Sequence, residues 1–167
     1  EGTARLAAAA LRHGGATRRF ILISSISACG PAPAELITEE ESCAPVSSYG
    51  ESKRAGELEL LKFRDRLPIT IIRPPGLYGP RDREVLRFFR MAARGIRPLI
   101  GDPRRTLNLC HAADAVELVR LAMEQDAAIG EMFNAGAPVN YSWDEAGWIL
   151  GEACGRRRTL PLRVPPA

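Results

Sequence analysis

The stretch RRFILISS, residues 18–25, decides the fold class. Its continuous apolar run from Phe20 to Ile23 ends in serines, which is typical of a short strand buried on both faces. The stretch PITIIRPP, residues 68–75, repeats the pattern with β-branched residues between prolines. Between these strands the sequence around Tyr49 has helical spacing as far as about Arg66. The strand–helix–strand order predicts an α/β protein with a parallel sheet and a right-handed crossover.

The rest of the chain continues the alternation of helices and strands. The patterns predict helices over residues 2–15, 83–95 and 112–125, strands within 105–111 and 131–136, and an irregular tail over 160–167. A last helix begins at Ser142, where Glu145 three residues on completes a capping box. No internal repeat or low-complexity linker interrupts this order.

Length and composition favour a soluble globular protein. The chain has 167 residues, of which 46% are apolar, enough to bury a sizeable core in about one domain. No apolar run approaches the roughly 20 residues that span a bilayer, and no signal-peptide pattern is present, so we expect a cytoplasmic location without membrane contact. The four cysteines have neither C-x-x-C nor metal-site spacing, which favours free thiols and no bound metal.

The charge pattern does not favour a nucleic-acid partner. The net charge is +3, and 21 arginines stand against two lysines. The arginines are scattered and interleaved with acidic residues, as a codon bias would leave them. The dense run GRRRTLPLR, residues 155–163, has no interleaved aromatic residues. We therefore expect a small-molecule substrate and no nucleic acid.

Candidate catalytic side chains follow the first strand and begin the helix after it. Ser24, Ser25 and Ser27 lie just past the strand's carboxyl end, where open α/β sheets bind their ligands. Tyr49 and Lys53 are four residues apart and share one helix face. A nearby cation lowers a tyrosine pKa from about 10, which makes the phenol a usable general acid–base. A serine hydroxyl can stabilise charge on the same substrate oxygen.

Each of these features alone is common in structural roles. A Tyr-x-x-x-Lys pair at a helix start is more often structural than catalytic, and serines after a strand usually serve turns. The ordered set of strand, serines, Tyr-x-x-x-Lys helix and strand with Arg-Pro is far more specific. A catalytic serine–tyrosine–lysine group is the interpretation that this order favours.

Four blocks carry a family resemblance: RRFILISSISACGP, SSYGESKRAGE, ITIIRPPGLYGPRD and NLCHAADAVELVRLAME. In order and interval they resemble the extended short-chain dehydrogenase/reductases, also called the NAD-dependent epimerase/dehydratase family. The resemblance covers nearly the whole chain and implies a Rossmann-like doubly wound sheet with NAD or NADP as cofactor. Residues 1–80 would be the C-terminal half of the Rossmann domain. Residues 81–167 would mostly form a small α/β substrate-binding lobe, with about 111–135 returning to the Rossmann domain.

The resemblance also assigns roles to individual residues. It implies three catalytic residues, Ser25, Tyr49 and Lys53. It implies cofactor contacts from Ser24, Tyr49, Lys53, Pro74, Pro75, Gly76 and Leu77, the last four beside the nicotinamide. It implies substrate contacts from Ser27, Arg81 and Arg105.

Two departures from the family pattern affect these expectations. The chain lacks the family's opening strand and its G-x-x-G-x-x-G turn, which seats the cofactor pyrophosphate. We therefore expect a fragment without the first half of the Rossmann domain, and the choice between NAD and NADP stays open. Gly76 occupies the place of an asparagine that binds substrate phosphates in sugar-nucleotide epimerases, which weakens a sugar-nucleotide interpretation.

Two functions of different class remain. The first is an NAD(P)-dependent oxidoreductase or epimerase acting on a sugar or sugar nucleotide, a sterol, or another secondary alcohol or ketone, with a homodimer compatible with the family. The second is a non-catalytic dinucleotide-binding or regulatory protein. As a truncated fragment, the chain alone would be inactive, would bind cofactor very weakly and would self-associate through an exposed sheet edge.

Overall fold

The computed structural model describes residues 1–13, 17–31, 36–101 and 106–164. It divides into two compact units, Glu1–Leu77 with Cys110–Gly136 and Tyr78–Leu109 with Ala137–Ala167. The helices of the described residues are α1 (Gly2–His13), α2 (Ser48–Leu61), α3 (Val85–Ala93), α4 (Ala112–Glu124) and α5 (Trp143–Ala153), with 3₁₀ turns η1 (Ile26–Ala28) and η2 (Asp126–Ala128). The strands are β1 (Phe20–Ile23), β2 (Ile69–Arg73), β3 (Gly76–Tyr78), β4 (Ile96–Ile100), β5 (Thr106–Leu107), β6 (Leu109–His111), β7 (Met132–Asn134), β8 (Tyr141–Ser142) and β9 (Leu160–Val164).

The first unit is built on a three-stranded parallel sheet in the order β1-β2-β7. Phe20 lies opposite Ile69, and Ile72 lies opposite Phe133. The α/β class with a parallel sheet is confirmed. Every residue of the central strand β2 is buried. The apolar run of β2 therefore reflects burial on both faces, whereas the same expectation for β1 is wrong, because Phe20, Ile21 and Leu22 are only half-buried and Ile23 is exposed.

Two apolar clusters cover the two faces of this sheet. Alternate residues of β2 point to opposite faces. Ile69 and Ile71 join a cluster with Leu60 of α2 and Ala7 of α1. Ile72 instead packs with α4 and η2 residues, including Ala122 and Ala128. Helices therefore cover both faces of the sheet.

The second unit packs α3 and α5 against a ribbon of two parallel strands, β4 and β9. The irregular tail expected over residues 160–167 is wrong for Leu160–Val164, which pairs along all five residues with Ile96–Ile100. Leu160 N–H donates to Gly95 O at 2.8 Å. The backbone nitrogen of the next residue, Pro161, therefore points away from β4, to the free side of the ribbon. Because a proline on that side removes no ladder hydrogen bond, the strand tolerates it.

A buried arginine joins β4 to α5 in the second unit. The Arg97 guanidinium stacks 4.5 Å from the Trp148 ring centroid, and its Nη1 lies 3.0 Å from Asp144 Oδ1. Gly147 faces the arginine stem so closely that a Cβ there would lie 2.3 Å from Arg97 Cγ. The predicted capping box of α5 is confirmed, since Ser142 Oγ accepts from Glu145 N and the Glu145 carboxylate accepts from Ser142 N. Of the helices in the described ranges, none combines the length and apolar character required to cross a lipid bilayer.

Candidate active site at the ends of the first two strands

Backbone hydrogen bonds to β2 and to the segment after it continue past the end of β1, at the serines. Ser24 N donates to Ile72 O at 2.7 Å, and Ile26 N donates to Pro74 O at 3.0 Å. Ser25, which is 8% exposed, is the N-cap of η1, and its Oγ accepts from Ser27 N at 3.2 Å. Ser25 is therefore held beside the segment that follows β2.

A glycine brings the start of α2 against this turn. The helix begins after Ser47, whose Oγ accepts from Gly50 N at 3.1 Å. Gly50 is buried, and a Cβ built on it would lie 2.3 Å from the backbone oxygen of Ser27. Because only a residue without a side chain permits this approach, Gly50 fixes the first turn of α2 on η1.

Tyr49 and Lys53 lie on the first turns of α2, as their spacing predicts. Tyr49 is 54% exposed, so its side chain is accessible to a bound molecule. The Lys53 Nζ lies 5.6 Å from the Tyr49 ring centroid and donates to Ile23 O at 3.3 Å. Lys53 thus joins α2 to the last residue of β1 and keeps its charge near the tyrosine.

A buried ionic network lies one helical turn beyond Lys53. Glu57 and Arg73 are 0% and 1% exposed, and Arg73 Nε and Nη2 donate to the two carboxylate oxygens at 2.8 Å each. Ser24 Oγ donates to Glu57 Oε1 at 2.5 Å, and Arg54 Nη1 to Oε2 at 3.1 Å. Burial by itself would raise the pKa of Glu57, but the hydrogen bonds and charge from these partners hold that pKa below its ordinary value.

This network connects the three elements that carry the candidate site. Ser24 precedes Ser25, Glu57 follows Lys53 on the same helix face, and Arg73 precedes Pro74. Sequence reasoning missed the network. Its available signals were an acidic residue four positions after Lys53 and an arginine at the end of an otherwise apolar strand. The assignment of Ser24 to the cofactor stays a prediction, and in the structure its hydroxyl donates to Glu57.

The remaining expected site residues lie in different parts of the chain. Pro74 is buried and Pro75 half-buried, whereas Gly76 and Leu77 are exposed in β3. Arg81 belongs to the second unit, where it is exposed with a positive φ of 74°. It lines a cavity of about 580 Å³ together with nearby residues, which include Gly79, Asp82, Val85 and Phe89. Arg105 lies outside the described residues.

The first unit thus brings Ser25, Ser27, Tyr49 and Lys53 together at the ends of β1 and β2. Among the residues that the structure describes, no group of three or more acidic, histidine or cysteine side chains is arranged to hold a metal ion. These four residues offer hydroxyls and an ammonium group.

Comparison with known proteins places the chain in a family. The family model of the NAD dependent epimerase/dehydratase family matches residues 1–136. The chain belongs to this family. The resemblance that the four sequence blocks carry is therefore confirmed.

The chain is similar in sequence to curated proteins and in fold to a solved structure. The chain is 35% identical to a ceramide reductase from Caulobacter vibrioides, over 97% of this chain and 45% of that protein. It is 31% identical to a dTDP-glucose 4,6-dehydratase from Streptomyces griseus, over 92% and 48%. A UDP-glucuronic acid 4-epimerase from Bacillus cereus, solved with UDP-glucuronic acid and NAD, superimposes with a TM-score of 0.82 at 25% identity, over 98% of this chain and 53% of that one. The chain spans about half the length of these proteins.

The residues at the strand ends include groups that could hold a nicotinamide nucleoside. Lys53 and Tyr49 offer an ammonium and a phenol that can hydrogen-bond ribose hydroxyls. The exposed side chains of Ile23, at the end of β1, and Leu77, in β3, offer apolar surface for a ring. The Lys53 ammonium reaches the carbonyl of Ile23, so polar donors and the apolar surface of that residue lie side by side, as is typical of sites for small organic ligands.

Proposed function

We propose that this chain carries the acid–base site of an NAD(P)-dependent oxidoreductase or epimerase. In this proposal Tyr49 exchanges a proton with a hydroxyl or carbonyl oxygen of the substrate. The observation that supports it most is the approach of α2 to η1 at Gly50, which holds the exposed Tyr49 beside the Ser25 turn. When bound, the nicotinamide would supply the hydride acceptor or donor.

Ser25 and Lys53 have complementary roles in this proposal. Ser25 Oγ accepts from Ser27 N, which leaves its own proton to be donated to the substrate oxygen. Such a hydrogen bond stabilises the charge that develops on that oxygen during hydride transfer. Lys53 uses one of its three N–H donors on Ile23 O and has the other two for the cofactor ribose. In this proposal its positive charge also favours the deprotonated form of Tyr49 during proton transfer.

The substrate is proposed as a secondary alcohol or ketone. The relatives named above include a reductase of a lipid and enzymes of nucleotide sugars. These names support a sugar nucleotide or a sterol- or lipid-like compound as substrate. NAD is the favoured cofactor because several solved relatives hold it. The contacts of Ser27, Arg81 and Arg105 with substrate, the homodimer and the cytoplasmic location stay predictions.

A substitution at Tyr49 tests the proposal in the full-length protein. Tyr49→Phe removes the titratable hydroxyl and keeps the ring, so turnover should fall by roughly 10²-fold or more while cofactor binding persists. The assay follows reduced-cofactor absorbance with NAD⁺ and NADP⁺ against a panel of nucleotide sugars, sterols and other secondary alcohols.

The matched control is Ser52→Ala, on the same helix. The Ser52 hydroxyl donates to the backbone oxygen of Tyr49 at 2.7 Å and is exposed, so its loss should leave turnover within about twofold. Near-normal turnover in Tyr49→Phe would contradict the proposal. Dinucleotide binding without turnover on any of the panel in the unmodified protein would favour the non-catalytic alternative.

A further inference from the structure

Two thiols that are distant in sequence lie together in the first unit. Cys43 donates to Cys29 with a distance of 3.7 Å between the two sulfurs. Cys29 is 5% exposed, whereas Cys43 is only partly buried. Sequence spacing did not predict this pair, because the two positions are 14 residues apart.

Backbone contacts hold the segment at Cys29 against the segment at Cys43. Ala44 N donates to Cys29 O at 2.7 Å, directly beside the sulfurs. Gly30, with a φ of 86°, approaches so closely that a Cβ there would lie 1.9 Å from Ala44 O. Because the two segments already touch, the sulfurs have only to close from 3.7 Å to the bonding distance of about 2.05 Å.

The two thiols differ in burial, since Cys29 is almost fully enclosed and Cys43 is partly exposed. Burial is the main cause that raises the pKa of Cys29 to about 11, and the nearby positive charge of Arg73 opposes this rise. Arg73 Nη1 is buried and makes no hydrogen bond to another described residue. Cys29 is therefore a protonated thiol near neutral pH, and Cys43 is the thiol that an oxidant reaches first.

We propose that Cys29 and Cys43 form a reversible disulfide when a peroxide oxidises the protein. The Cys43 thiolate attacks hydrogen peroxide, its sulfur gains an oxygen to become a sulfenic acid, and hydroxide leaves. The Cys29 sulfur then attacks the sulfenic sulfur, the S–S bond forms, and the oxygen leaves as water after taking the Cys29 proton. The hydroxide from the first step takes up the proton that Cys43 released on forming its thiolate, so the two thiols are oxidised by two electrons and the peroxide is reduced to two waters.

The modification site is separate from the acid–base group but lies along the same segment. The proposed disulfide would link the end of η1, the turn that contains Ser27, to the segment just before Ser47, the N-cap of α2. The chemistry needs only the two thiols and a peroxide, so it does not depend on the proposed catalytic activity.

The experiment uses the 167-residue chain treated with a small excess of hydrogen peroxide. After the remaining thiols are blocked, non-reducing digestion and mass spectrometry should find the peptides of Cys29 and Cys43 linked, with a mass lower by about 2 Da for the two lost hydrogens. Free thiols should fall from four to two and return on treatment with a dithiol reductant. The linkage should form at least about tenfold faster in the folded chain than in 6 M urea, since folding raises the effective concentration.

Variants at the other two cysteines serve as matched controls. Cys110→Ser and Cys154→Ser should keep the Cys29–Cys43 linkage, and Cys43→Ser should lose it. A different pairing, a Cys43 sulfinic acid with Cys29 still reduced, or equal rates in folded and urea-unfolded chains would each overturn the proposal. The primary result is read on the unmodified chain, so a variant that fails to fold leaves the test decisive.

Discussion

Each unit buries an arginine, and the two arginines differ in the partners that their guanidinium groups contact. Arg73 in the first unit is 1% exposed and binds a carboxylate that is 0% exposed, with both oxygens engaged. The Arg97 side chain in the second unit is 9% exposed, but the side chain of its partner Asp144 is 47% exposed, and much of its contact is with the Trp148 ring. In the first unit the charge pair connects α2 to the sheet, whereas in the second unit the buried guanidinium packs against an aromatic ring beside a half-exposed carboxylate.

Two glycines extend the same contrast. A Cβ on either Gly50 or Gly147 would lie 2.3 Å from its nearest neighbour, which is the backbone oxygen of Ser27 for Gly50 and the side chain of Arg97 for Gly147. A backbone oxygen in a turn moves only with the chain around it, whereas the Arg97 stem can shift if its contacts with Trp148 and Asp144 yield. The first unit therefore tolerates change less where it forms the candidate site.

The largest expected effect is that of Glu57→Gln. The variant leaves the buried Arg73 charge uncompensated, so the first unit should lose about 3–5 kcal/mol of unfolding free energy. The comparison variant is Asp144→Asn in the second unit. Its carboxylate is half exposed and the Arg97 guanidinium keeps its contact with the Trp148 ring, so the loss should be smaller than that of Glu57→Gln.

The positions of the tryptophans allow unfolding of the second unit to be followed separately from unfolding of the whole chain. Both tryptophans, Trp143 and Trp148, lie in the second unit, so urea titration followed by tryptophan fluorescence reports that unit. Circular dichroism reports both units together. Equal losses for the two variants would break the contrast between the two arginines.

The pH dependence of stability sharpens the role of Glu57. Its pKa in the folded chain is lowered, so the stabilisation is fully present above the unfolded value of about 4.3 and is lost as pH falls through the folded pKa. The difference in unfolding free energy between the wild type and Glu57→Gln should therefore shrink as pH falls below about 4. A difference that stays constant down to about pH 2 would show that the carboxylate charge is not its source.

Gly50→Ala comes next in size. The added methyl group must displace the Ser27 carbonyl, and we expect a loss of about 2–3 kcal/mol. Gly147→Ala, which meets only the stem of Arg97, should cost about 1 kcal/mol. Gly56→Ala is the control on α2, because the nearest atom is the Thr3 hydroxyl oxygen at 3.3 Å and alanine favours the helix. If Gly147→Ala proved the more destabilising, the distinction between backbone and side-chain contact would fail.

The smallest expected effects are those of the two helix caps. Ser47→Ala removes one hydrogen bond, to Gly50 N, and should cost about 1 kcal/mol. Ser142→Ala breaks a capping box in which the serine and Glu145 bond reciprocally, so its cost should be somewhat larger. Thermal unfolding of both variants, compared with Ser52→Ala, measures the difference. Identical midpoints for all three would contradict it.

Local patterns determined which parts of the fold could be predicted. The bounds of β1 follow from four apolar residues between arginines and serines, and the α5 cap follows from a four-residue motif. The strand β9 was missed because its proline, Pro161, argues against a strand unless the partner strand and the free side are known. Asn108 separates β5 from β6 and hydrogen-bonds Ala137 O and Asn140, a contact that no local pattern encodes.

The candidate site divides in the same way. The spacing of Tyr49 and Lys53 on one helix and the position of Ser25 after a strand could be derived from sequence. The pairing of Glu57 with Arg73, 16 residues apart, and the contact of Gly50 with Ser27 could not, because both depend on how α2 lies on the sheet. The same holds for the Cys29–Cys43 pair.

Strand β1 lies at one edge of the sheet in the described part of the chain, and this has a kinetic consequence. Phe20 N and Ser24 N donate toward β2, and the alternation of a parallel pair turns the amides of Ile21 and Ile23 the other way. Within a single apolar strand, neighbouring amides should therefore differ greatly in deuterium uptake. Amides that face β2 exchange only when the sheet opens, whereas amides on the outer side exchange from the native state. Deuterium uptake at alternate residues of β1 therefore measures the opening of the sheet and the accessibility of its edge separately.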